Sequence, residues 1–325
     1  MDERMDESSA PTYRSCYGFP VLGHSGSREF GLLRVGGSGL ANLLVIWARC
    51  LVQSRRYGLK RISPTWLQIC REQWIQNSPD KRTYHGLFHA SPDEITGLRR
   101  LSLLATAKRV PESRLGQPIP DGSTFVFEGL EGFLIPILPY RELVSAELIK
   151  MTLPAHKRAI QEGFSPDVAI HVRRGDFGAG DQSSGNNRID LDWYIGVLRR
   201  LQERFGSLTT AVFSDGTDEE LAPLLAIDGV RRTSFGQSIA DILGLSRARI
   251  FIASGSTFSM WASFLGQMPT VWFPGRLPHP ILEDPRKEIL TLGELSEEFT
   301  AQCETSLSRK SIEAAVTPRA SAAVS

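Results

Sequence analysis

The second half of the chain alternates short apolar runs with longer stretches whose apolar residues recur at helical spacing. This alternation constrains the fold more than any other feature of the sequence. Strands that alternate with helices form right-handed βαβ units around a parallel sheet, so we predict an α/β fold. The predicted strands span residues 167–172, 209–214, 249–254 and 269–273, and the predicted helices span residues 191–206, 218–226, 238–248 and 257–266.

The first half contains a similar unit of strand, glycine turn and helix. The run FGLLRV precedes a glycine cluster, and the helical pattern after it ends at Gly58. The run FLIPILPY is interrupted by two prolines, which favours a buried strand and turn over a membrane element. A chain of 325 residues suits two domains. We predict a disordered segment 1–27, an N-terminal domain 28–165, a C-terminal domain 166–303 and a disordered tail 304–325.

Charge and composition exclude several classes of protein. With 37 basic and 36 acidic residues the net charge is +1, so no overall field attracts nucleic acid or an anionic membrane. Four scattered cysteines without a CxxC pair argue against a disulfide framework and a zinc site. The sequence shows neither a signal-peptide pattern nor a run of about 18 apolar residues. We therefore expect a cytoplasmic protein without a transmembrane segment or a nucleic-acid partner; its oligomeric state is left open.

The stretch IHVRRGDF places two arginines at the end of a predicted buried strand. Guanidinium groups can donate two parallel hydrogen bonds to phosphate oxygens and keep their charge, so Arg173 and Arg174 are candidates to hold a diphosphate. Asp176 could orient one of these arginines, and His171 could donate to a phosphate or a base edge. The alternative is a structural Arg–Asp pair that closes the strand end.

Two further strands also end in polar residues. The segment ASGSTFSM places Ser256 and Thr257 where a helix begins, and N–H groups and hydroxyls converge there as an anion site. The segment VFSDGTDEE places Ser214 and Asp215 after the next strand, although helix capping by Asp215 or Asp218 is equally favoured. Because ligands bind at the carboxyl ends of parallel strands, these residues are candidates for the same site.

The glycine-rich turn VGGSGLAN is a weaker candidate. Gly37 and Gly39 could allow close approach of a ligand, with Asn42 beside them. A dinucleotide fingerprint would need glycine where Asn42 stands, and no acidic residue occurs between Glu29 and Glu72. NAD binding is therefore not expected, although Arg55 and Arg56 leave NADP binding open.

Asp190 and Asp192 form a D-x-D pair, which holds a metal in some transferases. Here the pair directly precedes an amphipathic helix, so helix capping is favoured over metal binding. We predict no metal site.

Taken together, HVRRGDF, VFSDG and DILGLSRARIFIASGSTFSMWASFLG resemble the three ordered motifs of the α-1,2-fucosyltransferase family and of its α-1,6 and protein O-fucosyltransferase relatives. The turn GGSGLAN resembles the GGLGNQ turn of that family. The resemblance covers roughly residues 31–58 and 168–275. Two departures are FSDG in place of FSDD, and Met260 in place of one tryptophan of FSWWA.

The resemblance implies a GT-B-like architecture, in which two Rossmann-like domains face a cleft and the N-terminal domain lies on the acceptor side. It also implies a GDP-fucose donor, an inverting mechanism and no metal requirement. Arg173 and Arg174 would hold the diphosphate with Asp176 as support. His171 would lie near the nucleotide, together with Ser214 and Asp215. Asp241 matches the acid that accepts from the guanine amine, and Ser256 and Thr257 match hydroxyls at the phosphate.

We therefore expect an inverting glycosyltransferase that moves fucose to a glycan hydroxyl, in an α-1,2 linkage. Two alternatives stay open, namely a transferase for another nucleotide sugar and a catalytically silent nucleotide-sugar-binding protein. The sequence does not identify a general base; Glu128, Glu131 and His89 are candidates.

Overall fold

The computed structural model describes residues 12–23, 28–69, 83–174 and 188–316. The chain divides into two compact units, one ending at Ala155 and the other beginning at His156. Each unit combines helices with a parallel sheet, so the predicted α/β class is confirmed.

The first unit contains a four-stranded parallel sheet and a small three-stranded sheet. The strand orders are β4-β1-β7-β6 and β2-β3-β5. Helix α1 lies against the first sheet and ends at Gly58 in the left-handed conformation, as the sequence predicts. The elements are β1 (Tyr17–Pro20), β2 (Arg28–Glu29), β3 (Arg34–Val35), α1 (Leu40–Tyr57), β4 (Lys60–Arg61), β5 (Gln68–Ile69), α2 (Gly97–Thr106), β6 (Arg109–Pro111), β7 (Thr124–Phe127) and α3 (Arg141–Met151).

The second unit is built on a six-stranded parallel sheet with the order β10-β9-β8-β11-β12-β13. The predicted alternation of strands and helices is confirmed in this unit. The elements are α4 (Arg158–Gln161), β8 (Val168–Val172), α5 (Leu191–Phe205), β9 (Thr210–Ser214), α6 (Asp218–Leu225), β10 (Val230–Arg232), α7 (Ser238–Leu245), β11 (Ile250–Ala253), α8 (Thr257–Gly266), β12 (Thr270–Trp272), β13 (Glu288–Leu290) and α9 (Glu297–Val316).

The core of the second unit lies around its two central strands. Every residue of β8 and β11 is buried. Parallel strands that are covered on both faces read as continuous apolar runs, which is why their positions could be predicted closely. His171 is the polar exception within β8.

Both predicted disordered ends contain ordered structure. Strand β1 lies within residues 1–27 and pairs with β4 and β7, with Phe19 buried. Helix α9 continues through residues 304–316, and its Phe299 and Cys303 lie in the core of the second unit. The prediction of disorder was wrong for these residues, because a few buried side chains anchor segments of polar composition.

The units divide earlier in the chain than residues 165 and 166, where the sequence placed the boundary. Helix α4 packs against α7, so the residues that follow His156 belong with the second unit.

Two apolar runs of the first unit, which the sequence predicts to be strands, contain little or no strand in the structure. Only Arg34–Val35 of the run FGLLRV is a strand. The run FLIPILPY contains a 3-10 helix, Ile135–Tyr140, instead of a strand. Its two prolines fix φ at helical values and lack the N–H groups that a sheet requires. Among the described residues, no helix has both the length and the apolar content needed to cross a membrane.

Candidate functional site

The candidate site lies where the second sheet reverses its winding direction. Numbered along the chain, the six strands have the order 3-2-1-4-5-6, and β8 and β11 are the neighbours at the reversal. Chain connections leave these two strands toward opposite sides, which opens a crevice at their carboxyl ends. The structure brings His171, Arg173, Ser214, Asp215 and Ser256 to this edge, as the sequence predicts.

Asp215 holds the arginine pair in place. Its Oδ2 accepts from Nη1 of Arg173, and its Oδ1 accepts from the backbone N of Arg174 at 2.7 Å. The Arg173 side chain remains 26% exposed and that of Asp215 31%, so the ion pair faces solvent and is worth little as a stabilising contact. The sequence assigned the orienting role to Asp176, which lies outside the described residues. Asp215 performs that role in this structure.

Arg174 is embedded by its side-chain stem. Nη1 donates to the Ile189 carbonyl at 3.3 Å, and Nε is buried without a hydrogen-bond partner among the residues described. The stem lies over Gly216, where an added Cβ would come within 2.9 Å of Cγ of Arg174. Gly216 is the residue at which FSDG differs from the FSDD motif. Packing explains this difference, because the glycine leaves room for the Arg174 side chain.

Ser214 links the ends of two strands. Its hydroxyl donates to the Val172 carbonyl at 2.7 Å and accepts from the Gly216 backbone at 3.0 Å. These contacts fix the turn that presents Asp215. Thr217 caps helix α6 and forms a reciprocal capping box with Glu220. The alternative expectation, that Asp215 or Asp218 caps this helix, is therefore wrong.

A buried network of one histidine and three serines connects β8 with α8. Nδ1 of His171 lies 2.8 Å from Oγ of Ser259 and 3.0 Å from Oγ of Ser254, which lies 2.9 Å from Oγ of Ser256. Phe258 stacks on the histidine ring, with centroids 4.8 Å apart. Burial lowers the pKa of His171 to about 4, so the ring is neutral at physiological pH. Sequence reasoning missed Ser259, although its position three residues after Ser256 places it in the first turn of α8.

Ser256 is the N-cap of α8, and its hydroxyl accepts from the Ser259 backbone at 3.4 Å. Thr257 is the first residue of that helix. The unpaired backbone N–H groups of a helix N-terminus favour an anion, and this N-terminus lies at the same sheet edge as the arginine pair. The sequence placed Ser256 and Thr257 at such a position.

Asp241 lies in the first turn of α7, the helix that follows β10. One carboxylate oxygen accepts from the Phe235 backbone at 2.5 Å, and the Ser234 hydroxyl lies 3.3 Å from the other. Burial raises the pKa of Asp241 to about 6, against these hydrogen bonds, which lower it. A carboxylate with a raised pKa at the ligand edge of a parallel sheet has the character of a binding group.

The glycine-turn candidates lie in the first unit, between β3 and α1. Gly37 has a φ of 122°, and an added Cβ would lie 2.9 Å from Nη1 of the buried Arg34. Gly39 is the N-cap of α1, and a Cβ added there would meet nothing within 4 Å. Asn42 lies half-buried in the first turn of α1. The fold therefore requires glycine at position 37 but not at position 39.

Asp190 caps helix α5, as predicted, by accepting from the backbone N of Asp192 at 3.1 Å. Across the described parts of the chain, no cluster of three or more His, Cys, Asp or Glu side chains is arranged to bind a metal ion.

Comparison with known proteins relates this unit to a transferase family. Residues 141–274, which include β8 to β12, match the family model described as Glycosyl transferase family 11. The α-1,2-colitosyltransferase of Escherichia coli is 26% identical over 150 residues, which cover 36% of this chain and 51% of that protein. The chain thus spans about half the length of this curated relative.

Two solved structures are similar to the chain at lower identity. NodZ α-1,6-fucosyltransferase, soaked with GDP-fucose, is 14% identical with a TM-score of 0.47, covering 76% of this chain and 96% of that chain. POFUT1 in complex with GDP is 13% identical with a TM-score of 0.43, covering 82% of this chain and all of that one. The family match places the arginine pair, Asp215, Asp241 and the serine network within the matched residues. Residues 141–274 of this chain are thus similar to glycosyl transferase family 11.

Proposed function

We propose that this protein is a glycosyltransferase that moves fucose from GDP-fucose to a glycan hydroxyl, with inversion at the anomeric carbon and an α-1,2 linkage. The observation that carries the proposal is the convergence of Arg173, Arg174 and the N-terminus of α8 at the reversal point of the second sheet. This arrangement suits a diphosphate, and it lies within the residues that match the glycosyltransferase family.

In this proposal the second unit binds the donor. Arg173, Arg174 and the α8 N-terminus hold the diphosphate, with Ser256 and Thr257 contributing hydroxyl groups. Asp241 accepts hydrogen bonds from the guanine base, because a carboxylate offers two acceptor oxygens to the adjacent N–H groups of that base. His171 remains neutral and positions Ser254 and Ser259 beneath the binding edge.

The reaction is a displacement at the anomeric carbon. The acceptor hydroxyl oxygen forms a bond to that carbon from the face opposite the diphosphate. The bond from carbon to the phosphate oxygen breaks, and its electron pair leaves with the diphosphate. Negative charge therefore grows on the leaving group, where the two guanidinium groups lie in this proposal, and stabilising it lowers the barrier. A base, which the site does not identify, takes the hydroxyl proton. We propose that no metal is needed, because the arginines and helix N–H groups neutralise the diphosphate.

We further propose that the protein acts in the cytoplasm on a glycan and has no nucleic-acid partner. The support is the near-zero net charge, which gives no overall field to attract nucleic acid, and the four scattered cysteines without a CxxC pair, which suit a reducing compartment.

A second donor is favoured by one specific observation. The curated relative at 26% identity is named as a colitosyltransferase. Colitose is fucose without its 3-hydroxyl, so GDP-colitose would present the same base and diphosphate to Asp241, Arg173 and Arg174. The two donors would differ only at the sugar.

The alternative of a catalytically silent nucleotide-sugar-binding protein depends on the two departures from the family motifs, FSDG and Met260. Gly216 of FSDG accommodates the Arg174 stem, and Met260 lies buried within α8 with 4% of its surface exposed. Both departures thus have a packing role in the fold. They give no support to a loss of catalysis.

A donor screen tests the proposal. We expect GDP-fucose or GDP-colitose to raise the thermal midpoint of the purified chain more than UDP-glucose or GDP-mannose does. Incubation of the preferred donor with a panel of glycans, followed by mass spectrometry and NMR of the product, then reports transfer, linkage and anomeric configuration. Equal shifts with uridine and guanosine donors would refute the donor assignment. Donor binding without transfer or hydrolysis would favour the silent binder.

A further inference from the structure

Arg232 is the last residue of β10, the edge strand beside β9, and none of the sequence motifs includes it. In the parallel register it pairs with Val212 of β9. Side chains two residues apart on a strand point to the same face, so Arg232 lies on the face that Val212 shares with Ser214. Its side chain therefore extends toward the turn that follows β9.

The Arg232 guanidinium binds the backbone of this turn. Its Nη2 donates to the Gly216 carbonyl at 2.6 Å and to the Ser214 carbonyl at 3.4 Å. These two carbonyls belong to the residues on either side of Asp215. Its Nη1 forms an ion pair with Asp218 at the start of α6. The same side chain thus holds both flanks of Asp215 and ties the turn to the next helix.

The backbone contacts of Arg232 matter more than its ion pair. The side chains of Arg232 and Asp218 are 37% and 72% exposed, and an exposed ion pair of this kind is worth little. The Gly216 carbonyl, in contrast, lies at a closely packed point, because Gly216 is in contact with the Arg174 stem. A shift of this turn would move both Asp215 and the surface on which Arg174 packs.

Asp215 transmits the position of the turn to the arginine pair. Its Oδ2 accepts from Nη1 of Arg173, and its Oδ1 accepts from the backbone N of Arg174 at 2.7 Å. Direct contacts therefore lead from Arg232, through the turn, to both arginines of the candidate site.

We propose that Arg232 is a positioning residue for donor binding, which holds the turn after β9 so that Asp215 orients Arg173 and Arg174 toward the diphosphate. The inference rests on the proposed function, because it adds a supporting residue to the same donor site. Arg232 itself does not contact the donor in this proposal, since both of its Nη groups are engaged with the protein. Precise binding requires that the binding side chains are held in place by such supporting hydrogen bonds.

The test measures the binding of GDP, inorganic pyrophosphate and guanosine by isothermal titration calorimetry. Arg232→Gln removes the charge and the fork, Arg232→Lys keeps the charge alone, and Asp218→Asn removes only the ion pair. The matched control is Arg231→Gln. Arg231 is an exposed arginine of the same strand that points to the opposite face, and it makes no hydrogen bond or ion pair with the described residues. Circular dichroism and urea unfolding report the fold and stability of each variant.

We expect Arg232→Gln to bind GDP and pyrophosphate about tenfold more weakly than the control, a loss typical of residues that share one hydrogen-bond network. Guanosine affinity should stay within about twofold of wild type, because the turn supports only the diphosphate side of the site. Arg232→Lys should recover part of the loss, and Asp218→Asn should bind GDP as the control does. A purely structural role of Arg232 would lower the stability without this selective loss of diphosphate binding.

A second comparison tests the route through Asp215. If Arg232 acts through this carboxylate, Arg232→Gln should cause no further loss of pyrophosphate binding in an Asp215→Ala background, because the contact that it supports is already absent. An equal loss in both backgrounds would show that Arg232 acts independently of Asp215 and would overturn the positioning role.

The remaining outcomes separate this inference from the proposed function. GDP binding by Arg232→Gln equal to that of Arg231→Gln overturns the role of Arg232 and leaves the proposed function intact. Wild-type protein that binds pyrophosphate without preferring GDP over UDP refutes the guanine donor, whereas a selective loss of pyrophosphate binding in Arg232→Gln still supports the positioning role. Wild-type protein that binds neither GDP nor pyrophosphate refutes both.

Discussion

At the residue scale, Arg173 and Arg174 are held in different ways. Arg173 is oriented by its ion pair with Asp215, whereas Arg174 is fixed through its backbone N and through the packing of its stem on Gly216. A charge alone would satisfy Asp215. Nε of Arg174 is buried and has no hydrogen-bond partner among the described residues, while Nη1 donates to the Ile189 carbonyl.

Replacing either arginine by lysine tests this distinction. We expect Arg173→Lys and Arg174→Lys to fold normally, while at least one of them loses two or more orders of magnitude in turnover. Lysine keeps the charge but cannot donate two parallel hydrogen bonds to phosphate. Losing donors that strengthen in the transition state costs roughly 2.7 to 4 kcal/mol of barrier, by analogy with one oxyanion donor. The loss should appear in kcat as well as in donor affinity.

The control is Arg158→Lys, which alters an exposed ion pair with Glu162 in the same unit. It should leave turnover unchanged. Turnover near that of wild type in both motif variants would mean that IHVRRGDF only closes a strand.

Asp241→Asn separates binding from stability. Burial raises the pKa of Asp241 from 3.8 to about 6, so the folded state holds a proton that the unfolded state has lost in this pH window. Acidification through the window therefore stabilises the fold, and ionisation at higher pH costs stability. We expect the variant to be more stable than wild type at pH 8, by on the order of 1 to 3 kcal/mol, with no difference from this group below pH 4. Urea unfolding at the two pH values measures this.

The same variant should lose the preference for guanosine over uridine donors, because asparagine offers one acceptor oxygen, which the Phe235 backbone already uses. The wild-type affinity for GDP should also fall as the pH drops below 6, where Asp241 becomes protonated. A variant that is destabilised at pH 8, or that still prefers GDP, contradicts the assignment.

At the element scale, the sequence predicts the second unit well because its strands are apolar on both faces and its helices carry clear periodicity. Strand β8 and helix α8, the elements that carry most of the candidate site, both lie where the sequence places them. The contact between His171 and Ser259 joins residues 88 positions apart, so no local pattern could reveal it. Strand β1 was missed because its four residues include a glycine and a proline, which are rare in strands, and its pairing with β4 and β7 is not visible in the sequence.

The histidine network predicts a specific acid sensitivity. The pKa of His171 falls from 6.5 to about 4 on burial, so the unfolded state takes up a proton before the folded state does. Stability should then fall as the pH drops through 6.5 toward 4, by at most about 1.4 kcal/mol per pH unit, and level off below. His171→Gln removes this contribution. We expect the wild type to lose more stability than His171→Gln between pH 7.5 and pH 5.

Protonation of Asp241 in an overlapping pH range changes the stability in the opposite direction. This contribution is the same in wild type and in His171→Gln, so it cancels when the two proteins are compared. Urea midpoints at the two pH values provide the measurement. Equal losses in the two proteins would show that the ring is charged in the folded state, and the assigned neutral network would be wrong.

At the scale of the whole molecule, the sheet edge concentrates positive charge that the chain as a whole does not have. The net charge of the sequence is +1, yet Arg173 and Arg174 lie together directly after β8 in the second unit. A diphosphate is usually neutralised by a divalent cation or by protein donors, and this edge offers the second solution. The D-x-D pair, the one sequence feature that suggested a metal, is engaged in capping α5 through Asp190.

We therefore expect transfer from the donor to persist in excess EDTA, at a rate within about twofold of that in magnesium. EDTA does not remove the positive charge of arginine side chains. An enzyme that depends on a bridging divalent cation would lose its activity when EDTA removes that cation. The sharper comparison adds Arg174→Lys. If the arginine stands in for a metal, added magnesium or manganese should partly restore the turnover of this variant while leaving wild type unchanged. Complete loss of wild-type activity in EDTA, restored by either cation, would show that the leaving group depends on a metal.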